Sequence, residues 1–130
     1  MKRKSLIFGL IVLFIAVSTV IIANDKPAKK PVPKMPDNVK AIIDKSCFGC
    51  HNTDSKNEDA KEDLDFKELD SLSDLKKISA YKHIGDVVKK NEMPPEKILE
   101  KRPEMKLTKE EKKILIDWAK KEAETFVKSK

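Results

Sequence analysis

The sequence predicts an all-α domain, and three observations predict it. Apolar residues recur at helical spacing, as in Val39, Ile42 and Ile43, or in Ile114, Leu115, Trp118 and Ala119. A T-x-x-E capping box, Thr108 to Glu111, opens the strongest of these runs. No strand pattern flanks the cysteines, Cys47 and Cys50, which stand in the stretch Cys47-Phe48-Gly49-Cys50-His51. The rest of the chain is organised around that stretch.

C-x-x-C-H is the spacing with which a polypeptide takes a haem covalently and ligates its iron at once. Thiols three positions apart on one helical turn each add to one vinyl group of the porphyrin, and the adjacent histidine turns a nitrogen to the iron. The expected set is Cys47 and Cys50 as attachment points of one haem c per chain, with His51 as the proximal axial ligand. Three other readings use the same residues. A dithiol redox pair wants a thioredoxin-like βαβ setting. A closed zinc site needs four nitrogen or sulfur ligands, and after Cys47, Cys50 and His51 only His83 remains. A disulfide this short closes almost no loop and stabilises little.

The chain of 130 residues is long enough for one small domain with extensions. Its apolar fraction of 39% overstates the core, because much of it sits in the first two dozen residues. A domain of about a hundred residues buries a modest share of its surface, and a haem would supply an apolar centre. The formal net charge is +6, of which Lys2, Arg3 and Lys4 lie at the extreme N-terminus. Elsewhere lysines alternate with acids, the pattern of a solvated face. With no basic stripe and no aromatic platform, a nucleic-acid partner is not expected.

In chain order, the lysines and arginine at positions 2–4 precede an almost continuous apolar run from Leu6 to Ala23. Residues 1–23 are therefore expected to be a signal peptide or a retained membrane anchor, with the following chain outside. Residues 24–36 carry four prolines and four lysines and read as an extended linker. The domain is expected over 37–130. Asp37 or Asn38 is expected to cap a helix whose apolar face leads to Cys47, and Gly49 to let a flat ring approach the backbone. The acidic stretch Asn52 to Asp63 has no period and reads as a loop. Leu64, Phe66, Leu69, Leu72, Leu75 and Ile78 suggest short helical turns, with Ser73 capping one that ends at Ile78. A separate helix is expected over Ala80 to Asn91, with Ile84, Val87 and Val88 on one face. The prolines of Met93-Pro94-Pro95 end it. The capped C-terminal helix, with its stripe from Ile114 to Ala123 and on to Phe126, is expected to pack on the first helix.

A sixth iron ligand is sought among Met93, Met105, Met35 and His83. Met35 falls in the linker, Met105 reads as core, and His83 sits beside Ile84 in a helix. Met93 is the expected distal ligand, because the rigid prolines after it place its backbone. A thioether there raises the reduction potential, whereas a second imidazole lowers it.

From Cys47 onward the chain resembles a small c-type cytochrome, and more particularly the haem-binding domain of exported bacterial proteins. The resemblance rests on SCFGCHN, LDFKEL and MPPEKILEKRPEMKLTKEEKKILIDWAKKEAE and covers about two-thirds of the chain. It implies a cytochrome c-like helical domain around one covalently bound haem, with roles for Cys47, Cys50, His51 and Met93; the apolar run of residues 1–23 is the expected N-terminal hydrophobic helix before it. One departure is the acidic stretch 52–63, where relatives often carry an aromatic- and proline-rich segment. The expected function is single-electron transfer between unidentified redox proteins on the periplasmic side of a bacterial inner membrane. The alternative is a haem-based sensor with an open or labile sixth site. Catalysis, such as peroxidase chemistry, is not expected.

Overall fold

Val39, Ile42 and Ile43 fall on one face of a helix, and α1 (Asp37–Ser46) buries all three. The computed structural model describes residues 34–128. The expected N-terminal hydrophobic helix and most of the linker lie outside the described residues. Among the described residues no helix is long and apolar enough to cross a membrane. Neither expected cap is used in α1: Pro36 holds the N-cap position, and Asp37 lies in the first turn, where its carboxylate complements the helix dipole. Met35 is half-buried against the apolar core, so the last residues of the expected linker belong to the domain.

The acidic stretch is not all loop. Glu58–Asp63 forms a short helix, α2, started by Asn57, whose side chain accepts from the Ala60 N–H at 3.1 Å. None of its residues is buried, which is why it left no hydrophobic period to read. After a 3₁₀ turn at Leu69–Ser71 comes α3 (Asp74–Lys89), one helix where two were expected. Lys77, Tyr81, Ile84 and Val88 make an unbroken buried stripe across the supposed break near Ile78. Lys77 is the residue that disguised it. Its stem is buried among apolar side chains while its Nζ stands 5.1 Å over the Phe126 ring. Ser73 occupies the N-cap position without a side-chain bond, and Leu75 is exposed.

The end of α3 is set before the prolines. Asn91 adopts φ 61°, the Asn91 N–H bonds to the Val88 carbonyl, and the Glu92 N–H reaches back to the Val87 carbonyl at 2.9 Å. That pair of bonds is a Schellman motif, with asparagine tolerating the left-handed position. A single turn, α4 (Glu96–Leu99), follows Pro95, and a 3₁₀ turn at Pro103–Met105 leads to α5 (Lys109–Val127). Thr108 and Glu111 form the expected capping box, each side chain bonded to the other's backbone N–H.

α5 does meet α1, but its main partner is α3, along which it runs antiparallel. Tyr81 meets Trp118 edge-on at 5.3 Å and stacks on Phe126 at 6.1 Å, and Lys77 sits over the same Phe126 ring. Leu115, Trp118, Ala119, Ala123 and Phe126 are buried as expected, and Glu122 is buried with them. Its Oε2 has no hydrogen-bond partner, and burial raises its carboxyl above the ordinary value.

Candidate functional site

The site begins where α1 runs out. The N–H groups of Cys47 and Phe48 both bond to the Ile43 carbonyl at 2.8 Å, and those of Cys50 and His51 both bond to the Cys47 carbonyl at 3.1 Å. The motif is therefore a tight turn continuing the helix, and Cys47, Phe48 and Cys50 are half-buried. The two thiols are unbridged. A Cβ placed at Gly49 would meet no heavy atom within 4 Å, and Gly49 has no positive φ. Neither packing nor backbone conformation within the protein requires glycine there.

His51 is the most constrained residue of the five. Its Nδ1 lies 2.7 Å from the Ala60 carbonyl and 3.2 Å from the Leu64 carbonyl. Carbonyl oxygens only accept, so Nδ1 carries the proton and donates it, which leaves the lone pair on Nε2. This is how ligating histidines are ordinarily held, the far nitrogen free for a metal and the near one fixed by the second shell. The two carbonyls flank the C-terminal half of α2, so the helix missed in the acidic stretch supplies the hold on the imidazole. The Phe66 N–H closes the other side by bonding to the His51 carbonyl at 3.1 Å, and the Phe66 ring meets the imidazole edge-on.

Two further residues do work that the sequence did not announce. Asn52 is buried; its Nδ2 donates to the Phe48 carbonyl and its Oδ1 accepts from the Asp54 N–H at 2.8 Å, stapling the motif turn. Lys45, the penultimate residue of α1, donates to both carboxylate oxygens of Glu111, at 2.6 and 2.7 Å. Glu111 thereby caps α5 and anchors the thiol-bearing end of α1 with one side chain. Bonding to Lys45, and then to the Thr108 N–H, holds its carboxyl below the ordinary value.

The Cys47 thiol does not resemble that of a redox catalyst. Burial, and next the neighbouring Cys50, push the Cys47 thiol up to about 11, whereas catalytic dithiols are shifted down so that a thiolate is available. The zinc reading finds no support either, since among the described residues no group of three or more histidine, cysteine, aspartate or glutamate side chains gathers. Two unbridged thiols on one turn and an imidazole with Nε2 free fit a covalently held haem.

Of the candidates for a sixth ligand, Met93 lies in the segment between α3 and α4, half-buried, two residues beyond the left-handed Asn91. Pro94 behind it is buried, and Pro95 is the N-cap of α4. The backbone of Met93 is thus pinned by a helix end on each side. Met105 is buried in its 3₁₀ turn, and Met35 packs on the core. His83 is half exposed, its Nε2 facing the Asp63 carboxylate at 3.4 Å.

A family model described as a haem-binding domain matches residues 54–121, which take in α2, α3, Met93 and most of α5 and begin just after His51. No curated protein and no solved structure matches.

Proposed function

Because this chain belongs to the haem-binding domain family, we propose that it is a monohaem c-type cytochrome domain carrying single electrons. Cys47 and Cys50 would hold haem c covalently, one per chain, and His51 and Met93 would ligate its iron. The observation that carries this reading is the His51 imidazole, its Nδ1 proton bonded to two main-chain carbonyls and its Nε2 free, on the same turn as two unbridged thiols. When bound, the haem supplies a one-electron Fe(III)/Fe(II) couple, which a thioether ligand shifts to higher potential.

The chain's own residues act by staying still. The Ala60 and Leu64 carbonyls fix the plane and tautomer of His51, Asn52 and Phe66 fix the turn that carries it, and the helix ends around Asn91 and Pro95 fix Met93. A carrier needs its ligands to reorganise little between oxidation states, and such bracing serves that end. No catalytic turnover is assigned to it. The basic N-terminus and the apolar run from Leu6 to Ala23 argue for the periplasmic side of a bacterial inner membrane, anchored there or released by cleavage.

The test is spectroscopic. Protein matured with a c-type assembly system should stain for haem on a denaturing gel, and Cys47→Ala together with Cys50→Ala should abolish the stain. Met93→Ala should remove the weak far-red sulfur-to-iron band of the ferric protein and lower its potential. An unchanged spectrum removes Met93 from the site. Rapid carbon monoxide binding by the ferrous parent protein at neutral pH would replace electron transfer with sensing.

A further inference from the structure

A groove of about 570 Å³ runs along the outer seam between α3 and α5. None of its lining residues comes from the Cys47–His51 turn or the Met93 segment. Its apolar surface includes Gly85 from α3 and Ile116, Ala123 and Val127 from α5, with the buried Tyr81 below. Val127 is 54% exposed, one of two large hydrophobic residues left so open among the described residues. An apolar side chain at the edge of an apolar groove has a reason to be uncovered that a scattered surface leucine lacks.

Gly85 bears on how the groove comes to exist. A Cβ there would meet only the Ala119 Cβ, at 3.8 Å, an ordinary contact, and the residue has no positive φ. Glycine in a helix interior costs about 1 kcal/mol relative to alanine. Neither backbone nor core demands that cost here, and its consequence is depth in the groove.

The edges are charged, and unevenly. Lys82 and Lys89 stand on the α3 side, two helical turns apart or about 10 Å, and Lys120 stands on the α5 side. These three make no ion pair among the described residues, while Lys128 pairs with Glu124 at 3.7 Å. Four lysines face two carboxylates, Asp86 and Glu124, around the lining. An apolar trough with cations along both banks is complementary to a helix with a hydrophobic stripe between acidic flanks. We propose that the α3–α5 groove is a docking site for an acidic amphipathic helix of a partner protein, separate from the cysteine–histidine motif. The apolar stripe seats over Gly85 and Ala123 beside Ile116 and Val127, and its carboxylates meet Lys82, Lys89 and Lys120.

The test uses the full haem-loaded chain and a synthetic amphipathic helix with leucine at i, i+3, i+4 and i+7 between glutamates. Calorimetry should show saturable binding that a lysine-for-glutamate peptide and a scrambled acidic peptide do not reproduce. Amide shifts should cluster at Gly85, Ile116, Lys120 and Val127. Lys82→Glu with Lys120→Glu should weaken binding about tenfold or more, and Gly85→Leu should fill the trough and abolish it, with haem content and potential unchanged in both. Circular dichroism checks that each variant keeps its helices. If a variant misfolds, the shift map of the parent chain decides, and shifts elsewhere overturn the proposal. It is also overturned if the scrambled peptide binds equally well or if folded variants bind like the parent. Lysine-dependent binding to anionic phospholipid vesicles in place of the peptide would assign the face to a lipid surface. A concentration-dependent dimer weakened by the same substitutions would assign it to a second copy.

Discussion

Between α3 and α5, order comes from buried side chains: Tyr81 between Trp118 and Phe126, with Ile84, Val88, Leu115 and Ala119 filling the seam. Between Cys47 and Leu64 it comes from main-chain hydrogen bonds, with a helix that buries nothing and apolar residues only half covered. The first region stands on hydrophobic area, the second on directed polar contacts that fix angles more than they add stability. Stability and ligand geometry are thus kept in different parts of a small domain. The second region holds its cysteines and histidine at the margin of the core, with Cys47 half-buried against it and His51 buried.

The largest test of this division is Trp118→Ala. Removing that indole should cost about 3–5 kcal/mol, and because α1 leans on α5 the motif should unfold in the same transition. Denaturant melts followed by circular dichroism and by the haem Soret band check it; two separate transitions would show that the halves are independent.

Glu111→Ala comes next, since it cuts the tie that joins them. It removes the capping box and the Lys45 contact together, a loss of about 1–2 kcal/mol at neutral pH. The folded carboxyl sits below its ordinary value of 4.5, so its contribution is present above that pH and disappears as pH falls through the depressed value. The gap between parent and variant should therefore close in acid. A gap that persists in strong acid would mean that lost packing, and not charge, is responsible.

The smallest effect is expected from Asn57→Ala, which uncaps α2 at a cost of about 1 kcal/mol. Amide exchange should quicken from Ala60 to Leu64 and at His51 while α3 and α5 stay protected. Uniform quickening across the chain would show that α2 is coupled to the core after all.

What the sequence made legible follows the same division. The α5 stripe and its box, the α1 face and the motif turn are periodic or motif-borne, and each stands where its spacing put it. The merged α3 was hidden by Lys77, a charged residue whose stem behaves as apolar. α2 was hidden because a helix with no buried face has no period. The stop at Asn91 was attributed to the prolines beyond it, since a left-handed asparagine has no letter of its own. The partners of His51 are carbonyls, identical in every residue, so no side-chain pattern could name Ala60 and Leu64. An asparagine three positions before Ala60 was the available hint, as a helix cap.

The bond from Lys45 to Glu111 spans sixty-six residues, and chains are made from the N-terminus. Both cysteines are therefore synthesised, with the helix that bears them, well before the carboxylate that steadies it exists. Through that interval the turn has its local bonds, such as Asn52 to the Phe48 carbonyl, but not its tie to α5. Once α5 arrives, the turn is clamped in place.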